Sequence, residues 1–145
     1  MKRLRFTAQI HADKQKVWSV LWQEDSYRRW SSAFDEGSHA VSDWKTGSRI
    51  KFLNAKGNGM VSVIENNIPN EVMSFRHLGE IKAGVEQAKE KLSNDWEGSL
   101  EIYMLSGKEK NTELDIEIDV PDGFEIFMQG AFTKGIRIIK HLAED

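Results

Sequence analysis

The chain has 145 residues, no cysteine and a formal net charge of -3. That length suits one domain, residues 1–145, burying roughly two-thirds of its unfolded surface. The charge argues against non-specific nucleic-acid binding, which needs Lys and Arg concentrated on one face, and the lack of Cys excludes disulfides, thiolate zinc sites and cysteine nucleophiles.

Leu4, Phe6, Ala8 and Ile10 alternate with Arg3, Arg5, Thr7 and Gln9, the period-two pattern of a strand buried on one face. The N-terminus leads into no apolar block and no run is long enough to span a membrane. A cytoplasmic protein without membrane insertion is therefore expected. Asp13 can cap a helix carrying Val17, Trp18, Val20, Leu21 and Trp22. Asp25 or Ser26 can cap a second, with Tyr27, Trp30 and Phe34 at helical spacing.

From Gly37 the punctuation becomes that of hairpins, with turn signals at 43–47, 56–59 and 67–70. Ile50 and Phe52 form one inward pair; Met73, Phe75 and His77 form another set. Met60, Val61, Val63 and Ile64 offer apolar groups to both faces, so that strand has no assigned parity. Residues 79–95 are polar and read as a loop or helical turn. Trp96, Gly98, Leu100, Ile102 and Met104 are expected to face inward, as are Leu114, Ile116, Ile118 and Val120. The opposite face of that last strand, Glu113, Asp115, Glu117 and Asp119, is read as solvated and within reach of Arg3 and Arg5 if the first and last strands are neighbours. Residues 122–143 form a long amphipathic helix. Phe124, Phe127, Met128, Ala131, Phe132, Gly135, Ile138, Ile139 and Leu142 share one face, which only Ile126 violates. Ala131 and Gly135 make the centre of that stripe small, leaving room for an opposing side chain or for a cavity against the sheet.

A strand, two short helices, a meander of about six to seven strands in all and a long C-terminal helix is the order of the α+β helix-grip fold. The stretches Lys16-Val17-Trp18-Ser19-Val20-Leu21, Tyr27-Arg28-Arg29-Trp30-Ser31, Trp44-Lys45-Thr46-Gly47-Ser48-Arg49-Ile50 and Gly57-Asn58-Gly59-Met60-Val61 together resemble the START-like, or SRPBCC, superfamily. The branch they resemble is named for an activator of a heat-shock chaperone's ATPase and includes polyketide-cyclase-like relatives. The resemblance implies a curved antiparallel sheet gripping the long helix around a mainly apolar cavity for lipids, polyketides or other small hydrophobic molecules. Members often carry Pro where Ala12 and Asp13 stand here. The chaperone activators carry further sequence outside the domain, so the resemblance bears on fold and cavity more than on a co-chaperone role.

The expected ligand-binding wall comprises Trp30 and Phe34, then Ile50, Phe52, Phe75 and His77 from the meander. Trp96 and Ile102 follow, and Phe127, Met128, Ala131, Phe132 and Gly135 come from the final helix. Aromatic walls with few polar groups suit a flat or extended apolar molecule. His77 is the one candidate for proton transfer, with Tyr103 and Ser62 as its only polar company. His11, His39 and His141 have no metal-ligand spacing, so neither a metal nor a cofactor is expected. The leading function is non-enzymatic binding of a small hydrophobic or amphipathic, lipid- or polyketide-like molecule. The alternatives are a cyclase or dehydratase acting on a polyketide-like chain, and a stress-response or protein-interaction domain for which the exposure of Trp22, Trp44 and Ile126 is diagnostic. A homodimer is compatible with the sequence.

Overall fold

The computed structural model describes residues 1–87 and 96–145. The elements run β1 (Lys2–Ile10), α1 (Lys14–Trp22), α2 (Glu24–Ser31), β2 (His39–Val41), β3 (Arg49–Leu53), β4 (Gly59–Ile68), β5 (Val72–Lys82), β6 (Val85–Glu86), β7 (Leu100–Lys108), β8 (Asn111–Val120) and α3 (Glu125–Glu144). Seven strands form one antiparallel sheet in the order β1-β8-β7-β5-β4-β3-β2, and the two-residue β6 pairs with β5. The expected α+β order is thus present. No helix among the described residues is long and apolar enough to cross a membrane.

The first and last strands pair along their whole length, with Arg3 opposite Asp119, Thr7 opposite Asp115 and Gln9 opposite Glu113. The carboxylate row therefore meets polar partners across the ladder: Arg3 Nε donates to Asp119 at 2.8 Å, Thr7 to Asp115 at 2.8 Å and Gln9 to Glu113 at 2.8 Å. The bond from Arg3 holds the Asp119 carboxyl below its ordinary range. Leu4 and Ile10 on the other face of β1 join the core with Leu114, Ile116 and Ile118 of β8.

Asp13 caps α1 as its side chain suggests, accepting from Lys16 N–H at 2.7 Å. The second helix begins earlier than expected: Gln23, not Asp25 or Ser26, is its N-cap. Glu24 and Asp25 then occupy its first turn and Arg28 and Arg29 its last, the charge order a helix dipole favours. Trp22, at the hinge between the helices, is 9% exposed and packs its ring 4.8 Å from Tyr103 and 5.6 Å from Phe75. Trp30 donates its Nε1–H to the Leu21 carbonyl at 3.1 Å, tying α2 back onto α1.

The β4–β5 ladder has two register shifts: it skips Leu78 between the Val61–Gly79 and Ser62–His77 pairs, and Glu65 between Ile64–Phe75 and Asn66–Ser74. Neither inserts a residue between Met60 and Ile64, and the adjacent Val61 and Ser62 are both buried, as is Ile64, so burial does not alternate along this stretch. The polar stretch after Gly79 is in part ordered strand: β5 continues to Lys82 and turns through Ala83 and Gly84 into β6. Its remaining part, including Lys89, Glu90 and Lys91, lies outside the described residues.

The inward parity of β7 is opposite to expectation. Residues 96–99 form a turn instead of the start of the strand, with Gly98 at φ +80, so the phase set by Trp96 does not carry through to Leu100. Pairing then aligns Glu101 with Ile118, Tyr103 with Ile116 and Leu105 with Leu114. Paired residues share a face; hence Tyr103 and Leu105 are buried, and Ile102 lies opposite Glu117 on the outer face.

Helix α3 packs on β1, α1 and α2. Phe132 stacks on Phe6 at 5.0 Å and meets Phe34 edge-on at 4.7 Å. Gly130 lies on the exposed side of this helix, where an added Cβ meets nothing within 4 Å. Gly130→Ala is therefore expected to stabilise the fold by about 1 kcal/mol through helix propensity. Thermal unfolding should show a Tm rise of roughly 2–4 °C; a decrease would mean that this surface is covered.

Candidate functional site

A cavity of about 460 Å³ opens between the sheet and the helical layer. Its helical wall is Tyr27, Trp30 and Phe34 with Phe124, Phe127 and Met128 at the start of α3; its sheet wall includes Phe52, Met60, His77, Glu101, Tyr103 and Ile118, and Trp96 closes one end. Tyr27 and Trp30 project together because they stand three apart on α2. Phe34 follows through a turn, with Ala33 N–H donating to the Trp30 carbonyl and Phe34 N–H to that of Ser31. The mouth is polar, with Asp35, Ser38, His39, Asn54 and Asn58. Asn54 Nδ2 donates to Asp35 at 2.7 Å, and Asn58 accepts from Ala83 N–H at 2.8 Å, so side chains brace two rim loops.

One polar cluster interrupts the aromatic wall. Ser62 Oγ lies 2.6 Å from His77 Nδ1, His77 Nε2 lies 3.2 Å from Glu101 Oε1, and the Tyr103 hydroxyl donates to Glu101 Oε2. His77 is 1% exposed and Ser62 fully buried. If the imidazole carries its proton on Nε2, it donates to Glu101 while Nδ1 accepts the Ser62 hydroxyl, which satisfies every atom in the chain. With a proton on Nδ1 as well, the ring would donate to the serine oxygen and the serine hydroxyl would need another acceptor. His77 is fixed through its backbone as well: its N–H donates to the Ser99 carbonyl at 2.9 Å and its carbonyl accepts from Gly98 N–H at 2.8 Å. Burial and the nearby Glu101 raise both Tyr27 and Tyr103 above the ordinary phenol range, so both are neutral donors.

Ser62 sits behind His77 and does not line the cavity, which rules it out as a nucleophile toward a bound molecule. The groups a ligand can reach are His77, Glu101, Tyr27 and Tyr103. These can orient a polar substituent or move a proton.

Of the side chains expected to form a binding wall, Trp30, Phe34, Phe52, His77, Trp96, Phe127 and Met128 line the cavity. Ile50, Phe75 and Phe132 belong to the packed core around it, and Ile102 faces outward for the reason given above. Ala131 is buried but does not line the cavity, and Gly135 meets α2. A Cβ built on Gly135 would lie 3.4 Å from the Trp30 carbonyl oxygen and 3.5 Å from its ring, so α2 fills the small centre of α3. Tyr27, Met60, Glu101, Tyr103, Ile118 and Phe124 also line it without having been assigned to it. Tyr27 was recoverable from its helical spacing with Trp30, whereas Glu101 required the tertiary register. Trp22 is buried and Trp44 half-buried, but Ile126 is 86% exposed beside Phe127 at 55% and Phe124 at 40%.

No family model and no curated protein matches the sequence. Solved structures do match in shape. The Aha1 dimer from Colwellia psychrerythraea, determined in solution, superposes with a TM-score of 0.69 at 19% identity, over 99% of this chain and 97% of that one. The AHSA1-like protein from Aeromonas hydrophila gives 0.65 at 15% identity, over 99% and 96%. DynU16, of the dynemicin biosynthetic locus, gives 0.66 at 13% identity over 97% of this chain, which spans 46% of DynU16. Shared topology at such low identity establishes architecture and not activity. With its sheet order, its paired helices after β1 and its C-terminal helix over a cavity, this chain has the helix-grip fold.

Proposed function

We propose that the protein binds a small hydrophobic or amphipathic molecule in the cavity between the sheet and α3. The observation that carries this reading is the cavity itself: about 460 Å³, walled by aromatic rings, with a few convergent polar groups at its base. Burial of apolar ligand surface there is worth about 25 cal/mol per Å² before the costs of association. Native mass spectrometry of freshly purified protein, followed by thermal-shift measurements with a lipid and polyketide panel, tests it. A ligand at a hundred times its Kd should stabilise the fold by about 2.7 kcal/mol. Met128→Trp, which places a larger ring in the cavity, should weaken binding roughly tenfold by steric exclusion. Absence of any stabilising ligand, or unchanged affinity in that variant, sinks the reading.

A second reading, proton transfer to or from the bound molecule, is supported by the His77–Glu101 contact at 3.2 Å inside the cavity wall. It makes the site resemble that of a cyclase or dehydratase, in which a shaped pocket holds a reactive chain beside an acid or base. Self-association is a separate reading, supported by the exposed Phe124, Ile126 and Phe127 at the start of α3; sedimentation measures it directly.

A further inference from the structure

The geometry points to a cationic ligand: the cavity is built to take an apolar molecule bearing an ammonium group, with Glu101 as its counter-ion. This rests on the ligand-binding reading above and narrows it to a chemical class.

The ionisable side chains lining the cavity are Asp35, Glu101, His39, His77, Tyr27 and Tyr103; among the described residues neither Lys nor Arg lines it. Both tyrosines are held neutral by burial. His77 is engaged by Ser62 on Nδ1 and by Glu101 on Nε2, and the His39 Nδ1 is engaged at 2.9 Å with the Gly37 carbonyl. Among the described residues the permanent charges facing a ligand are therefore two carboxylates. Glu101, whose side chain is 17% exposed, stands in the inner wall, and Asp35 stands at the mouth.

The described partners of Glu101 are the Tyr103 hydroxyl, which donates to it, and the His77 ring at 3.2 Å; neither is a Lys or Arg. Each carboxylate oxygen retains acceptor capacity after these bonds. A carboxylate in an apolar wall is stabilised strongly by an opposite charge and only partly by dipoles. The rings of Trp30, Phe34, Phe52 and Trp96 line the same space, and aromatic faces attract cations through their quadrupole. An anionic head group, such as that of a fatty acid, would meet Glu101 and Asp35 with no Lys or Arg among the described lining residues to offset the repulsion. Charge selectivity thus follows from the wall, independently of the size or shape of the ligand's apolar part.

Three probes sharing a ten-carbon chain separate these cases: decyltrimethylammonium, decanol and decanoate, titrated calorimetrically below their micellar concentrations. The ammonium should bind roughly tenfold or more tightly than decanoate, with decanol between them. Glu101→Gln should shrink the ammonium-to-decanoate ratio about fivefold or more while altering decanol affinity less than about twofold, and Asp35→Asn should shrink it less because it sits at the solvated mouth. The circular dichroism spectrum of the Gln variant reports whether it has folded; if it has not, the wild-type ratio and Asp35→Asn decide. Decanoate binding as tightly as the ammonium overturns the charge assignment and leaves the cavity reading standing. Failure of all three probes to bind overturns both.

Discussion

Trp30→Ala is expected to destabilise the fold by roughly 3–5 kcal/mol, the range for truncating a buried tryptophan. Trp30 is 2% exposed, and three separate contacts depend on its ring. Its Nε1–H caps the Leu21 carbonyl, its face lies against the backbone of Gly135, and its edge meets Phe34 and Tyr103 at 6.3 and 6.2 Å. Removing it leaves the Leu21 carbonyl without that donor and opens a void between α2 and α3. Gly135→Leu fails for the complementary reason, because its branched end would overlap the Trp30 ring; overpacking of this kind costs roughly 1–3 kcal/mol. The double variant should recover part of both losses, since the new leucine enters the vacated space. Urea denaturation of the four proteins, read as midpoint shifts at constant m, measures this coupling. Strictly additive losses would show that Trp30 and Gly135 do not share a packing site. Gly135→Ala, whose Cβ makes only ordinary contacts, should be tolerated in the same assay.

His77→Ala should cost roughly 2–4 kcal/mol, combining a cavity term with the loss of two buried hydrogen bonds. The larger part of that cost comes from what stays behind. Ser62 Oγ, fully buried, loses its only described partner, and Glu101 loses one of its two side-chain donors. His77→Gln retains a donor and an acceptor on a shorter group and should recover about half of the loss. Ser62→Ala should be milder than His77→Ala, because it leaves only Nδ1 unpartnered. Chemical denaturation of the three variants gives the order; Ser62→Ala costing as much as His77→Ala would show that the imidazole contributes only through the serine.

Much of the architecture could be read from local pattern. The alternation of Leu4 to Ile10 and of Leu114 to Val120, the Asp13 cap and the amphipathic period of residues 122–143 each depend on near neighbours in the chain, and each is found in place. Seven of the thirteen side chains proposed for the binding wall line the cavity; Phe52 and His77 do so by strand parity and Trp30, Phe127 and Met128 by helical spacing, whereas Trp96 does so from a turn. The misses have different causes. At residues 96–99 a turn with Gly98 at φ +80 breaks the phase that Trp96 would set for β7, so periodicity no longer indicates direction there; Ile50, Phe75 and Phe132 join the packed core, and α2 meets Gly135.

The sequence by itself determined the α+β class, the order of its elements, the identity of most of its apolar faces and an excess of aromatic residues able to line a cavity. Only the tertiary structure decided what those faces meet. Hydrophobicity alone would send Leu100, Ile102 and Met104 inward, but pairing of β7 with β8 turns Glu101 and Tyr103 inward instead, because strands in one sheet must share their faces. The same register brings Glu101 to His77 from a position 24 residues distant in the chain. The small centre of α3 likewise acquired its meaning from α2, whose Trp30 occupies it. A glycine records that something must come close; what comes close depends on long-range packing, and that lies outside any local window of sequence.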